Sequence, residues 1–547
     1  MRQLLILKFA LLAGGVLLTN HFFLGQLALF VKLDLYHWLA VFLLIWAAAG
    51  IALFYVAFTP RKGARVTWAL LLGLSTLAGE TYFQVVGDRL TIGALDAMWD
   101  PAMLNLETVA FYARQAGLAL LYTAVLLAGL MIPLPLPAIP RWRTLVLSPL
   151  APCFLIAAVI VYDAASTGIE TQGLPSQFYN LSLLTLHPLS APPPTETAEV
   201  DIPLVRPPAA RHVVLIVDES VSGDFIDVNV ERGTTPYLLT YPAGMVNFGL
   251  ATAASTCSNA SNAILRLGAK PELLGSRKYS PFANPSVWKY AKKAGFETNF
   301  VDAQRLAESG QNFMYPAELR LIDHVLTVPR GTPAASRDFE AQKLVQEVLS
   351  RPEPQFIYVN KQGAHFPYQN WTPENEALFL PVMQSREAIG NRERLVNSYK
   401  NAIHWTVDRF FESLLPRIDL TDTVIIYTSD HGQNLLDDGL PVTHCRRLGV
   451  QLNEAVVPLL TWTENQALHQ RFLQAAKMNF GSVSHFEIFP ALLDLFGYDP
   501  AIVRDRYHQS LFERIDQPLG FISGPVTGRF GRKPLWNSRD GLHQQTR

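Results

Sequence analysis

Two short segments bring together residue types that bind divalent cations. Thr423 to Gly432 reads Thr-Val-Ile-Ile-Tyr-Thr-Ser-Asp-His-Gly, a β-branched apolar run that ends in Asp430 and His431. Val213 to Ser220 repeats the design as Val-Val-Leu-Ile-Val-Asp-Glu-Ser and ends in Asp218 and Glu219. Each run has the pattern of a buried strand, and two such strands in a parallel sheet would set carboxylates and an imidazole around one cation. A third segment, Ala251 to Gly268 (ATAASTCSNASNAILRLG), crowds small and hydroxylated residues ahead of an apolar helical run. A hydroxyl or thiol at that helix N-terminus would face free N–H groups and the positive end of the helix dipole, a suitable seat for a nucleophile attacking phosphorus or sulfur. Spacing alone leaves Thr256, Cys257 and Ser258 open, and an ordinary N-cap before a packed helix would carry the same enrichment.

The elements that must position these residues follow from composition. Of 547 residues, 49% are hydrophobic and 17% charged, with a formal net charge of -1, so neither a nucleic-acid-binding tail nor a disordered acidic segment is expected. The apolar excess sits before about Tyr162, in five runs long enough to span a bilayer: Phe9 to Phe30, His37 to Phe58, Val66 to Val86, Ala116 to Leu136 and Leu145 to Tyr162. Arg2, Lys8, Arg61, Lys62, Arg65, Arg141 and Arg143 mark one side as cytoplasmic, against Lys32, Arg89 and Arg114 on the other. An odd number of spans then puts everything after Tyr162 outside. The outside stretch Gly87 to Gln115 has loosely helical apolar spacing and offers Asp96, Asp100, Glu107 and Thr108 to a lipid headgroup.

Residues 163–211 are rich in Pro, Thr, Ser and Gly and read as an extended surface linker. From 212 to about 515, strand-like and helix-like stretches alternate, as in Ser336 to Leu349 before Phe356-Ile-Tyr-Val359. That pattern predicts an α/β domain on a mostly parallel sheet, with ligands at the carboxyl ends of its strands, and residues 516–547 form a C-terminal tail. Lys361, Asp302 and Gln304 also follow strand-like runs but are assigned to surface or core-edge roles.

On these residues the chain resembles the membrane-anchored phosphoethanolamine transferases of Gram-negative bacteria, which include lipid A modifying and mobile colistin-resistance enzymes, within the alkaline phosphatase and sulfatase superfamily. The resemblance rests on Val217-Asp-Glu-Ser220, the hydroxyl-rich segment, Gly363-Ala-His365-Phe-Pro-Tyr368, Thr428-Ser-Asp-His-Gly432, and His444 with Val456-Val-Pro458. It implies an alkaline-phosphatase-like α/β domain, with Glu219, Asp430 and His431 as zinc ligands and Ser258 as the nucleophile and a fourth ligand. The superfamily places a Ser three residues and often a Gly ten residues after the nucleophile, where Ser261 and Gly268 stand. Thr256 is the runner-up, since many family members use Thr. Cys257 would resemble the sulfatase nucleophile, with worse offsets. His365 and His444 match histidines used near the phosphate. The resemblance further implies a phosphatidylethanolamine donor, a lipopolysaccharide or other glycan acceptor, and a multi-pass inner-membrane protein with its catalytic domain in the periplasm. A phosphoglycerol transferase, or a tethered sulfatase or phosphodiesterase, is the alternative. Three departures stand out: Ser-Asp-His-Gly-Glu-Ser becomes Ser429-Asp-His-Gly-Gln-Asn434, Gly-Ser-His becomes Gly-Ala-His, and Cys257 and Cys445 are the two cysteines outside the spans, so one bridge is the most the outer domain can hold.

Overall fold

The computed structural model describes residues 2–91, 95, 110–134, 147–166, 171–186, 197–274, 279–304, 312–314, 316–384, 387, 389–441, 443–447, 449–516, 520–523 and 535–539. Asp96, Asp100, Glu107, Thr108, Arg141 and Arg143 lie outside the described residues. The chain divides into two compact units, Met1–Ala191 with Thr527–Lys533, and Pro192–Val526 with Pro534–Arg547.

The first unit is helical: α1 (Arg2–Leu18), α2 (Phe23–Lys32), α3 (Tyr36–Phe58), α4 (Lys62–Val86), α5 (Ala113–Met131), α6 (Leu150–Ser166) and α7 (Ser176–Leu186). Three of these, α3, α4 and α5, are long and apolar enough to cross a membrane, and a fourth span results if α1 and α2 count as one. Among the described residues the expected count of five is therefore not confirmed. The run Phe9 to Phe30 breaks at the polar trio Thr19-Asn20-His21, with a bend of 63° between α1 and α2, and the apolar part of α6, Leu150–Tyr162, is short. Helices α1 and α5 approach closely because Gly15 and Gly129 lack side chains: a Cβ on Gly15 would lie 2.8 Å from the Leu126 backbone. Within the segment read as an extended linker, α7 is helical, with Gln177, Phe178 and Leu183 wholly buried. Its prolines flank the helix instead of interrupting it; Pro175 lies just before the first turn and accepts from Phe178 N–H at 3.1 Å.

The second unit is built on a seven-stranded sheet of β1 (His212–Asp218), β2 (Met245–Thr252), β3 (Glu297–Asp302), β4 (His324–Thr327), β5 (Gln355–Asn360), β6 (Thr423–Ser429) and β7 (Val456–Trp462), in the order β2-β7-β6-β1-β5-β3-β4. The pairs β6/β1, β1/β5, β5/β3 and β3/β4 are parallel, while β7 runs antiparallel to both β6 and β2. Every residue of β1 and β6 is buried, which explains why these strands read as unbroken apolar runs. Val213, Leu215, Val217, Val424 and Ile426 join the main core with Trp288, Phe356, Leu459 and Phe489. Each such fully buried side chain contributes ~1.5–3 kcal/mol, so sliding either strand by one residue would cost far more than a loop rearrangement. The register holds the strand ends level, with Asp218 opposite Ser429. Part of the expected C-terminal tail is structured as well, as an antiparallel pair of β8 (Gly520–Ser523) and β9 (Leu535–Ser538).

Candidate active site

Because β1 and β6 end together, Glu219 and Asp430-His431 emerge side by side. Ser220 N–H donates to Asp430 Oδ1 at 3.0 Å, and His431 N–H donates to the same oxygen at 2.7 Å. Between the strand ends, the Ser429 hydroxyl accepts from Val221 N–H at 2.7 Å. His431 Nδ1 donates to the Gly432 carbonyl at 2.7 Å, which turns Nε2 toward the carboxylates and fixes the tautomer a metal ligand needs once Nε2 gives up its proton. His431 Nε2 lies 3.3 Å from Glu219 Oε1 and 3.7 Å from Asp430 Oδ2. One ligand atom from each of the three lies within 4.8 Å of the others, the only cluster of this kind among the described residues.

Ser258 opens helix α8 (Ser258–Leu267), six residues beyond β2, with Cys257 as N-cap. Its hydroxyl donates to Glu219 Oε1 at 3.2 Å and lies 3.0 Å from His431 Nε2. Thr256 is fully buried where Ser258 is half-buried, but the Thr256 hydroxyl has no hydrogen-bond partner, so the structure brings Ser258 and not Thr256 into contact with the carboxylate-imidazole cluster. Cys257 is bridged to Cys445. His444, next to Cys445, stacks on His431 with ring centroids 4.1 Å apart. His365 is half-buried, and its charge bears on Glu219 and His444. Strand β8 braces the loop before Ser258: Ile522 N–H donates to the Ala254 carbonyl at 2.8 Å, and Thr256 N–H to the Ile522 carbonyl at 3.0 Å.

The charges do not balance. Burial pushes the His431 imidazole down, but Asp430 and Glu219 outweigh it and carry it up to about 9. Burial lifts Glu219, yet the hydrogen bond and charge of His431 hold it well below the usual carboxylate range. Asp430 is driven well above that range by burial and by the Glu219 charge beside it. Two buried carboxylates thus face one imidazole, and Asp430 Oδ2 is buried with no hydrogen-bond partner. Leaving such an atom unpaired costs ~1–3 kcal/mol. A divalent cation would replace the protons that Asp430 and His431 hold here and take up the orphaned oxygen and Nε2 together, so these residues fit one.

Sequence reasoning missed several supports. Gln304, after β3, donates to Glu219 Oε2 at 3.3 Å and to the Lys361 carbonyl at 2.7 Å, and so reaches the cluster directly. Lys361, after β5, is wholly buried, with Nζ 2.7 Å from Asp218 Oδ2 and 4.1 Å from the Phe410 ring centre. Neither has the surface or core-edge role assigned to it. The signal was their position at the ends of β3 and β5; the strand order that makes it matter is not written in either segment. His485 was also missed: it accepts from Ala254 N–H at 3.2 Å through Nδ1, leaving Nε2–H facing Thr428 Oγ1 at 3.2 Å. Burial keeps it neutral down to about pH 3, so it ties the loop before Ser258 to β6 without adding charge.

With this geometry in place, similarities to known proteins become informative. A family model described as Sulfatase matches residues 211–498, more than half of the chain, which therefore belongs to the sulfatase family. The chain is similar to phosphatidylethanolamine transferase Mcr-1 of Escherichia coli, 25% identical over 313 residues that cover 54% of this chain and 55% of that one. It thus spans about half the length of that curated relative. Among solved structures it is similar to the integral membrane lipooligosaccharide phosphoethanolamine transferase A of Neisseria meningitidis, at 18% identity and a TM-score of 0.60, covering 91% of this chain and 96% of that one. It is also similar to the C-terminal periplasmic domain of EcEptC from Escherichia coli in complex with Zn, at 21% identity and a TM-score of 0.52, covering 63% and 98%. The structural likenesses show the fold alone, and the similarity to Mcr-1, within the sulfatase family match, bears out the resemblance to phosphoethanolamine transferases.

Proposed function

We propose that this chain transfers phosphoethanolamine from phosphatidylethanolamine to a lipopolysaccharide acceptor, lipid A or core sugar, through a covalent phosphoserine at Ser258. The observation that carries the reading is the Ser258 hydroxyl at a helix N-terminus, 3.0 Å from His431 Nε2 and 3.2 Å from Glu219 Oε1. Glu219, Asp430 and His431, with the Ser258 oxygen, would hold zinc, a donor set that ion accepts. Zinc bound there supplies a lowered hydroxyl pKa and charge neutralisation near neutral pH.

The chain's own residues account for the rest. Ser258 Oγ attacks the phosphorus of the donor; the Oγ–P bond forms, the bond from phosphorus to the diacylglycerol oxygen breaks, and that oxygen takes the serine proton. The free N–H groups of the first turn of α8 favour the negative charge that builds up. An acceptor oxygen then attacks the phosphorus; its bond to phosphorus forms, the Ser258 Oγ–P bond breaks, and the freed serine oxygen takes the proton the acceptor gives up. His365 and His444 serve the non-bridging oxygens or relay the proton. The enzyme works at the inner membrane with its catalytic unit in the periplasm, because donor and acceptor are both amphiphiles. The disulfide at Cys257 argues against a sulfatase that converts a cysteine, since no free thiol is left at that position.

Intact-mass analysis of the chain with zinc and a fluorescent phosphatidylethanolamine tests this reading. A phosphoethanolamine adduct that is absent from Ser258→Ala is expected. Headgroup release without any adduct, or an adduct that survives Ser258→Ala, would overturn the mechanism. A stable adduct from phosphatidylglycerol and not from phosphatidylethanolamine would change the donor.

A further inference from the structure

One end of the helical unit buries positive charge and supplies none of the opposite sign. Residues 1–8, 59–65 and 132–149 flank the helices on the side that their Lys and Arg mark as cytoplasmic, and they carry seven cations with no Asp or Glu among them. Flanking cations of this kind ordinarily keep their charged ends in water. Lys8 and Arg65 do not, being 0% and 9% exposed. A buried charge is costly unless it is paired.

Lys8, on α1, donates to the Ile132 carbonyl at 2.6 Å and lies 4.9 Å from the Phe58 ring centre, so it ties the end of α5 to the end of α3. Those contacts occupy its N–H groups and leave its charge uncancelled. Arg65, in the first turn of α4, is close enough that its charge bears on Lys8. Among the described residues its guanidinium has no hydrogen-bond or ion-pair partner, and its Nε is shut off from water. A guanidinium presents five N–H donors, and this one is nine-tenths buried without an acceptor. The helix end points to the same kind of ligand. Arg61, the N-cap of α4, caps no backbone N–H with its side chain, and no acid stands in the first turn, so the positive end of a 25-residue helix adds to the two cations.

We propose that the Arg65 guanidinium and the N-terminus of α4 bind the phosphate of an anionic phospholipid from the cytoplasmic leaflet, with the buried charge of Lys8 behind them. A phosphate matches the fork of a guanidinium, and helix N-termini hold phosphate through their free N–H groups. Basic sites between membrane helices on this side are suited to anionic headgroups. The occupant is a lipid and not free phosphate, because α1 around Lys8 exposes Leu4, Leu5, Ile6, Leu7 and Phe9, apolar surface that acyl chains cover. Its net charge is negative, since a zwitterionic headgroup would bring a cation of its own to a place that already holds two. The site does not rest on the chemistry at Ser258, and it takes a different class of lipid from the proposed donor.

The test is native mass spectrometry of the full chain carrying Ser258→Ala, so that no lipid is consumed, exchanged into equal amounts of phosphatidylglycerol and phosphatidylethanolamine. About tenfold preferential retention of phosphatidylglycerol is expected, and millimolar inorganic phosphate should leave it in place. Arg65→Gln should bring the two lipids near parity, while Arg65→Lys, which keeps the charge and loses the fork, should fall between. Lys62→Glu serves if Arg65→Gln fails to fold. Position 62 is exposed, an acid suits the first turn of a helix, and a carboxylate three residues from Arg65 supplies the missing counter-charge, so the preference should vanish there too. Equal retention of the two lipids by the parent chain, or a preference untouched by Arg65→Gln or by Lys62→Glu, would overturn the proposal. Displacement of the lipid by millimolar phosphate would overturn its lipid half and leave a plain phosphate site.

Discussion

At the scale of single residues, the cluster depends on one oxygen, Glu219 Oε1, which Ser220, Ser258 and His431 all approach. Its position is set from behind by Gly363, whose φ is +54° and where a Cβ would lie 2.4 Å from Asp218 Oδ1 and 2.6 Å from the Glu219 carbonyl. Gly363→Ala therefore meets backbone strain and a clash at once. It should destabilise the catalytic unit by about 2–4 kcal/mol and lower zinc occupancy, read by thermal unfolding and metal analysis. Occupancy and stability equal to wild type would mean the loop yields. The two hydroxyls contrast in the same way. Ser258→Ala removes the contacts to Glu219 and His431 and should cost at least about 10³-fold in turnover. Thr256→Ala deletes a buried hydroxyl that bonds to nothing and should leave kcat within about threefold. If Thr256→Ala is the inactive variant in a steady-state assay, the nucleophile is two residues upstream of Ser258.

At the scale of elements, one charged group is held against its preference. Asp408, in the π-helical turn His404–Arg409, accepts from Tyr237 N–H at 3.1 Å and Leu238 N–H at 3.0 Å and so caps the short helix Pro236–Leu239. Burial, outweighing those hydrogen bonds, and then the charges of Glu412 and Asp227 push its carboxyl up to about 6, with His404 3.8 Å away. A raised acid binds its proton more tightly folded than unfolded. Stability is therefore lost as pH rises from about 4 to 6, by up to about 3 kcal/mol, and stays lower above that window. Asp408→Asn should flatten this part of the curve in chemical denaturation at a series of pH values; parallel curves for variant and wild type would sink the assignment. Legibility in the sequence followed the same divide between local and distant cause. Glu219, Asp430 and His431 could be read because each directly follows an unbroken apolar strand whose neighbours do not alter its pattern. Gln304 could not, since its contact with Glu219 exists because β3, β5 and β1 lie in that order. Strand β8 escaped notice because four residues pairing with a loop near Ala254 leave no periodicity. The break in the first apolar run was written as Thr19-Asn20-His21, three polar residues that a count of hydrophobicity averages away.

At the scale of the whole molecule, one chain joins a helical unit to a catalytic unit with its own core, and each holds together through its own contacts. Among the described residues, the strand-end cluster and the disulfide between Cys257 and Cys445 are made of the catalytic unit's own side chains, so the chemistry should survive removal of the helices. Under the proposed function, what the helices supply is access. A catalytic unit held at a bilayer meets its lipid at an effective concentration in the millimolar range, and such tethering raises apparent affinity ~10²–10⁴-fold without any new contact in the site. A chain that starts at residue 197 should accordingly bind zinc with full stoichiometry. It should hydrolyse a small soluble phosphodiester within about threefold of the full chain, yet turn over phosphatidylethanolamine in vesicles ~10²-fold or more slowly. Parallel initial-rate measurements on the two substrates separate the outcomes. Loss of both activities would mean that the helical unit helps to form the site, whereas full vesicle activity in the truncated chain would mean that the catalytic unit finds the membrane unaided.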